Sequence, residues 1–580
     1  MTEMIETTTF EHAPLLTDRL RQWAGESAHQ RAFTFVDFPE PHSPGVHRSL
    51  GWRGLDTRAR AVAGHLVRTV RPGDRVALLL PQGLDYAVAF LGCLYAGVIA
   101  VPLFTPELPG HDGRLTAVLD DCEPSCLLSD EASRVSVQAF TGGRLPVLAV
   151  DALPHVAPAT ELPRPAPDDV AYLQYTSGST RSPSGVMVTH ANVVANARQA
   201  VTAFDIGRGR NTSVGWLPLF HDMGLVLSVA APVYAGFPSV LLDPVAFLER
   251  PVRWLRLLGG YPGTISAAPN FAYDYCVTRA DADETAGLRL DRVAALLNGS
   301  EPVRPATLER FLHTFGGAGL GAQALCPAYG LAEATVFVTA DPRDRPTAAV
   351  ECDAAALAAG LIEERPGATA RLADCGRPVG QDVRIAAPRT GAVLDEGRVG
   401  EIQVRGPNIG AGYWKQPERT AETFRDGWLR TGDLGALRQG RLLVTGRLKD
   451  LIVVDGRNHY PQDVEETVQS AVDLVRTDRL AAFLVPRGAD PLLAPCGDGA
   501  RDEELVVVAE TQRGAAPDGA AVRDAKVAAR GAIATRHGLR LAELVLVPAG
   551  TVPRTSSGKV ARAACRERFL SGALHTEALR

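Results

Sequence analysis

The 580-residue chain has no surplus of basic residues: 60 Lys and Arg stand against 66 Asp and Glu, a formal net charge of −6. That balance lacks the electrostatic footprint of non-specific nucleic-acid binding. Cysteine is sparse and odd in number, nine in all, which excludes a fully paired disulfide framework. Reduced thiols of a cytoplasmic protein are the reading that fits. Cys122 and Cys126 stand close together, yet no second pair and no nearby histidines accompany them, so a zinc site is not indicated. The opening residues MTEMIETTTF hold no basic segment followed by an apolar one, and no secretory leader is expected. One uncharged run, Tyr86 to Pro106, comes near the roughly 20 residues that cross a bilayer. Gly92, Gly97 and Pro102 interrupt it, and its tail GVIAVPL reads as a buried strand after a helix. No transmembrane span, internal repeat or heptad pattern is evident.

The composition that remains is that of a large globular protein, 46% hydrophobic and 22% charged, with length for two to four domains. Strand-like runs alternate with helix-like segments. DRVALLL (Asp74 to Leu80) precedes a helical pattern from Leu84 and then VIAVPL. PSVLL, PVRWLRLLGGY, TISAAP and VAALLNGSEPV follow in the same manner. Such alternation points to an α/β fold of mostly parallel sheets flanked by helices. After about Arg377 the texture changes to short segments punctuated by Gly and Asp, typical of antiparallel hairpins. ELVVVAE, a helical pattern over Ala521 to Arg536 and AELVLVPAGTVPRTSSGK complete the chain. We therefore expect a large N-terminal body, residues 1–448, and a small α+β C-terminal domain, residues 449–580.

The segment LQYTSGSTRSPSGVMVTH, Leu173 to His190, is dense in Ser, Thr and Gly. VAYLQY before it reads as a strand, and THANVVANARQAVTAF after it reads as a helix with Thr189 as N-cap. Such a loop either is a flexible surface connection or wraps its amides and hydroxyls around a phosphate. It is not a Walker loop, because no G-K-[ST] closes it.

The loop has ordered company: AYGLAEAT (Ala328 to Thr335), RTGDLG (Arg430 to Gly435), GRLKDLIVVDGRNHYP (Gly446 to Pro461) and PRTSSGK (Pro553 to Lys559). Together these motifs resemble the adenylate-forming superfamily of acyl-CoA synthetases, luciferases and peptide-synthetase adenylation domains, over nearly the whole chain. The resemblance implies a small β-barrel-like subdomain within the N-terminal body and a C-terminal domain that is mobile. It also implies a two-step chemistry: a carboxylate attacks the α-phosphate of ATP, and a thiol then takes the acyl group. The first step gathers anions, so cations and hydrogen-bond donors must offset their repulsion. By motif position, Thr176, Ser177, Gly178, Ser179 and Thr180 would hold phosphates. Glu333 and Thr176 would face Mg²⁺, which hard oxygen ligands suit. Tyr329 with Gly330 would lie against the adenine, and Asn298 to Pro302, including Gly299, Ser300 and Glu301, would form its wall. Asp433 would accept the ribose hydroxyls beside Arg447. Lys559 would bridge the substrate carboxylate and the α-phosphate, His221 would line the carboxylate entrance, and Lys449 would be the hinge. Taken singly, Asp433 reads as a turn residue, Lys559 as a solvated lysine and His221 as structural.

One departure stands out: where many relatives have P-K-G at the end of the phosphate loop, this chain has Ser184, leaving Arg181 as the nearby cation. YTSGSTRSPSGVMVTH, PLFHDMGL, NGSEPVRPATLERF and DGRNHYPQDVE resemble the fatty acyl-AMP ligases more closely than the acyl-CoA ligases. That subgroup carries an extra segment late in the N-terminal domain, here within Val350 to Pro378 and roughly between Asp353 and Leu372. Its half DAAALAAGLIEE reads as a helix with Leu357 and Leu361 on one stripe. The resemblance implies a monomeric, ATP- and Mg²⁺-dependent ligase that activates a fatty acid and passes it to an acyl carrier protein. No carrier-like Asp-Ser-Leu segment is visible in the chain itself. A fatty acyl-CoA ligase and a catalytically silent nucleotide-binding protein are the alternatives.

Overall fold

The computed structural model describes residues 14–107, 112–155, 161–176, 183–340, 346, 349–454, 457–487, 503–515, 517–555, 558–574 and 578–579. Two sheets dominate. The larger has nine strands in the order Arg377–Pro378, Phe337–Ala340, Leu325–Gly330, Val293–Asn298, Thr264–Ala268, Thr212–Gly215, Ser239–Leu242, Arg31–Asp37 and Val46–Gly51. Its five central pairings, from Leu325–Gly330 through Arg31–Asp37, are parallel. The second has six strands, with Arg75–Leu79 and Ile99–Leu103 at its centre, and closes on the antiparallel hairpin Val170–Tyr175 and Gly185–Thr189. Parallel strands need helical crossovers, and these cover the sheets, which explains the near-continuous apolar runs in the sequence.

The run that imitated a membrane span is core. Helix Leu84–Ala96 buries every residue from Tyr86 to Ala96. Gly92 is needed there for close approach, because a Cβ on it would lie 2.7 Å from the Cβ of Val62 on the neighbouring helix Trp52–Thr69. Gly97, at φ +64°, ends the helix in the left-handed region. Among the described residues no helix is long and apolar enough to cross a membrane.

After the parallel sheets come the expected antiparallel segments, a five-stranded sheet built around Gly400–Arg405, Trp428–Arg438 and Arg441–Arg447. The C-terminal residues then form a three-stranded sheet of Val475–Pro486, Glu503–Thr511 and Leu541–Val547. Its two faces bury separate apolar clusters, one around Val464, Val507 and Ile533, the other around Phe483, Val508 and Phe569.

The helix expected over Asp353 to Glu364 is shorter than its composition implies. It runs only over Ala354–Ala358, capped by Asp353, whose carboxylate accepts from the amides of Ala355 and Ala356. Gly360, at φ +82°, breaks it, and Leu361 forms an isolated bridge to Arg398 instead of continuing the stripe. Flanking strands Ala349–Cys352 and Ala370–Ala373 pair antiparallel. Leu357 packs with Leu434 and Tyr460.

Candidate active site

Ligands of open parallel sheets bind outside the carboxyl ends of the strands, and three such ends converge here. Strand Val293–Asn298 runs into Gly299, Ser300 and Glu301, strand Leu325–Gly330 carries Tyr329, and strand Thr264–Ala268 leads to Asn270 and Phe271. A cavity of about 190 Å³ opens over them, lined among others by Ser300, Glu301, Tyr329, Asp433, Arg447 and Lys559. The turn is tight: a Cβ on Gly299 would lie 2.9 Å from the carbonyl oxygen of Ala328. Ser300 sits at φ +69°, a conformation costing a non-glycine residue about 1–3 kcal/mol and concentrated at functional sites. The amide of Phe271 donates to Glu301 Oε1 at 2.7 Å. Burial nevertheless pushes the Glu301 carboxyl above the usual carboxylate range.

The antiparallel sheet supplies a second wall. Asp433 and Arg447 are directly opposed across strands Trp428–Arg438 and Arg441–Arg447. Arg447 Nε donates to Asp433 Oδ1 at 3.1 Å, and the Tyr329 hydroxyl, 104 residues away in sequence, donates to Oδ2 at 2.8 Å. Asp433 is 8% exposed. Two donors on a buried carboxylate fix its orientation. Asp433 in turn holds the Arg447 guanidinium firmly protonated.

The C-terminal residues supply the third wall. Lys559 follows a short loop closed by the Thr555 amide donating to the Lys559 carbonyl at 2.8 Å. Burial lowers its ammonium pKa, and the neighbouring Arg447 lowers it further, against the pull of Glu301, Asp222 and Asp433. An ion pair ties this wall to the first: Arg304 Nη1 lies 2.6 Å from Asp478 Oδ1.

Glu333 sits in the 3₁₀ turn Ala332–Ala334. Its Oε1 accepts from the Tyr413 hydroxyl at 2.7 Å, and burial, with lesser help from Asp433 and Asp222, raises its pKa. Thr176 leaves the strand as expected, its amide donating to the Ser184 carbonyl at 3.2 Å across the neck of the loop. Thr189 caps helix His190–Ala203 with a reciprocal Asn192 bond. Ser177, Gly178, Ser179, Thr180 and Arg181 lie outside the described residues. Lys449 is exposed in the 3₁₀ turn Leu448–Asp450. His221 is not among the residues lining the cavity; its Nδ1 stands 2.6 Å from Asp222 Oδ1 at the start of helix Asp222–Leu225. Burial raises Asp222, but His221 and then Lys559 bring it net below its usual value.

Sequence reasoning missed Tyr413, Arg419 and Arg114. Arg114 Nη2 donates to the Thr176 carbonyl at 3.3 Å, and Arg419 reaches Ser184. The glycine and tyrosine of GYWKQPERT were the available signal for Tyr413. A separate cavity of about 20 Å³ lies between helix His190–Ala203 and the large sheet, lined by Phe204, Gly215, Leu227, Phe237, Ile265 and Leu297 among others. Its wall includes the π-helix Val226–Ala230, whose Leu227 and Ser228 carbonyls accept from the hydroxyls of Ser213 and Ser239. π-Turns occur frequently at functional sites.

Residues 20–414 match the model of the AMP-binding enzyme family. The chain belongs to that family. This AMP-binding enzyme is 41% identical to the long-chain-fatty-acid–AMP ligase FadD32 of Mycolicibacterium smegmatis, over 97% of this chain and 96% of that one. It is 40% identical to a 4-hydroxyphenylalkanoate adenylyltransferase of Mycobacterium marinum, over 96% and 91%. Among solved structures it resembles one from a study of fatty acyl-adenylate ligases of E. coli and L. pneumophila, with TM-score 0.86, 31% identity, and 98% and 99% of the two chains covered. Within the AMP-binding enzymes the chain is thus a member of the fatty acyl-AMP ligase group.

Proposed function

We propose that the protein is an ATP-dependent ligase that converts a fatty acid to its acyl adenylate and passes the acyl group to the phosphopantetheine thiol of an acyl carrier protein. The observation that carries this reading is the convergence of Tyr329, Asp433, Arg447 and Lys559 on one cavity at the carboxyl ends of the parallel strands. Asp433, held by two donors, accepts the ribose hydroxyls; Tyr329 and the Gly299–Glu301 turn bound the adenine. The fatty-acid carboxylate oxygen attacks the α-phosphorus, the bond to the bridging oxygen breaks, and pyrophosphate leaves with the electron pair. Lys559 offsets the charge that accumulates between carboxylate and α-phosphate, a term worth about 10²–10³ in rate for one preorganised contact.

The fatty-acid carboxylate enters past His221, which stands beside Asp222. Thr176 to Thr180 form the phosphate loop. Mg²⁺ fits the donors present: Glu333 offers a carboxylate, Thr176 a hydroxyl, and Mg²⁺ takes its remaining ligands from phosphates and water rather than from a protein cage. The ion supplies charge neutralisation on the phosphates. Residues 449–580 turn as a unit about Lys449 between the two half-reactions, and the segment Asp353 to Leu372, packed through Leu357 on Tyr460, restrains that turn. Restraint at this point disfavours CoA and leaves the tethered thiol of a carrier as acceptor.

Pyrophosphate release across a series of fatty acids and an aryl-substituted alkanoic acid, followed by transfer to a carrier protein or to CoA, tests the reading. A protein that binds ATP but releases no pyrophosphate with any acid refutes it. Acyl-CoA formed as fast as acyl adenylate refutes the choice of acceptor.

A further inference from the structure

Lys559 and Arg447 stand at the adenylate end of the cavity. The two phosphates that depart as pyrophosphate carry most of the charge of ATP and need cations of their own. The neck of the Ser/Thr/Gly loop, Thr176 and Ser184, marks where they lie in the proposed reading. A guanidinium from elsewhere in the chain stands at that neck.

Arg419 belongs to the short helix Pro417–Thr423, 235 residues after Ser184. Its Nη1 donates to Ser184 Oγ and, at 3.2 Å, to Gln416 Oε1. Gln416 itself donates from Nε2 to the Pro183 carbonyl at 2.9 Å. The flat face of the Arg419 guanidinium lies over the Tyr413 ring, 4.1 Å from its centre. That ring's hydroxyl donates to Glu333. The guanidinium is therefore held on two sides: one edge on the loop, one face on the ring that orients Glu333. Ser184 is 4% exposed, so the loop contact is a buried one. Among the described residues Arg419 makes no ion pair, and its Nε and Nη2 make no hydrogen bond. A planar guanidinium with two N–H groups left over matches the fork geometry that takes a phosphate bidentately.

We infer that Arg419 binds the departing pyrophosphate end of ATP, supplied across the fold to a loop whose closing Pro-Ser-Gly has no cation of its own. Its partial exposure leaves it free to meet the nucleotide, and the Tyr413 stack sets its direction. This rests on the proposed adenylation reaction.

The test compares Arg419→Met, which keeps much of the apolar stem, with Arg419→Lys, which keeps the charge. Measured are kcat/KM for ATP in pyrophosphate release, inhibition by added inorganic pyrophosphate, and affinity for AMP. Loss of a charge-assisted contact should lower kcat/KM for ATP about 10- to 100-fold in Arg419→Met and weaken pyrophosphate inhibition similarly. AMP, which lacks both departing phosphates, should bind within about twofold of the original protein. Arg419→Lys, which keeps the charge but lacks the planar fork, should recover part of the pyrophosphate sensitivity. AMP and ATP binding falling together would make Arg419 a structural brace of the loop and overturn the inference. So would unchanged pyrophosphate inhibition in Arg419→Met, or a Lys variant as poor as the Met one. Failure of the unaltered protein to release pyrophosphate would instead strike the reaction itself.

Discussion

Replacing Lys559 by Met separates what this residue does for catalysis from what it does to stability. At a Coulomb separation of about 4 Å and an effective dielectric near 20, one ammonium and one phosphate charge attract by about 332/(20 × 4), or about 4 kcal/mol. At about 1.36 kcal/mol per decade that is roughly a thousandfold in rate, and solvent reaching the cleft reduces it toward a hundredfold. Adenylation should therefore fall at least about a hundredfold in Lys559→Met. Transfer from supplied acyl adenylate, where the α-phosphate bond is already made, should fall far less. Stability should move the other way. Burial holds the folded-state pKa of Lys559 below its ordinary value, so between the two pKa values the unfolded chain binds more protons and stability rises with pH. At neutral pH the charged lysine thus costs folding free energy, and Lys559→Met should melt no lower than the original protein. The assays are pyrophosphate release, thioester formation from acyl adenylate, and thermal unfolding at pH 7. Unchanged pyrophosphate release would refute the assigned role; an equal loss in both half-reactions with a lowered melting temperature would show that the lysine serves the fold.

Lys449→Pro should impair adenylation more than transfer, because proline drives the preceding Leu448 out of helical geometry and Leu448 begins the turn Leu448–Asp450 in the arrangement that brings Lys559 to the cavity; parallel losses in both steps would misplace the hinge. Replacing Asp353 to Leu372 by a short Gly/Ser bridge should leave Mg²⁺-dependent pyrophosphate release measurable and raise acyl-CoA formation, since Leu357 no longer braces Tyr460. A folded, active deletion that still ignores CoA would remove this segment as the cause of carrier preference. Tyr329→Phe strips one donor from the buried Asp433 carboxylate and should raise KM for ATP about 5- to 30-fold with kcat less affected, as a lost hydrogen bond to a charged group of about 1–2 kcal/mol requires; an unchanged KM would detach Tyr329 from nucleotide binding.

What the sequence determined by itself was whatever repeats locally. The parallel strands VALLL and VIAVPL, the buried helix between them, the Thr189 cap and the switch to antiparallel hairpins all rest on patterns a few residues long. The motifs were legible because each is contiguous and their order survives in the chain. Composition misled over DAAALAAGLIEE: alanine and leucine favour a helix, yet the left-handed Gly360 ends it after Ala358. Only the tertiary structure decided which motif residues face one another. Asp433 meets Arg447 through strand register, and Tyr329 through the contact of two different sheets. Arg419 reaches Ser184, and Tyr413 reaches Glu333, because Trp414 and Gly185 hydrogen-bond across a gap of more than two hundred residues. His221 stands beside Asp222 outside the cavity lining for the same kind of reason. A side chain's chemistry is written in its own position, but its partner is selected by sheet pairing and by packing between elements remote in sequence, and no local periodicity encodes that choice.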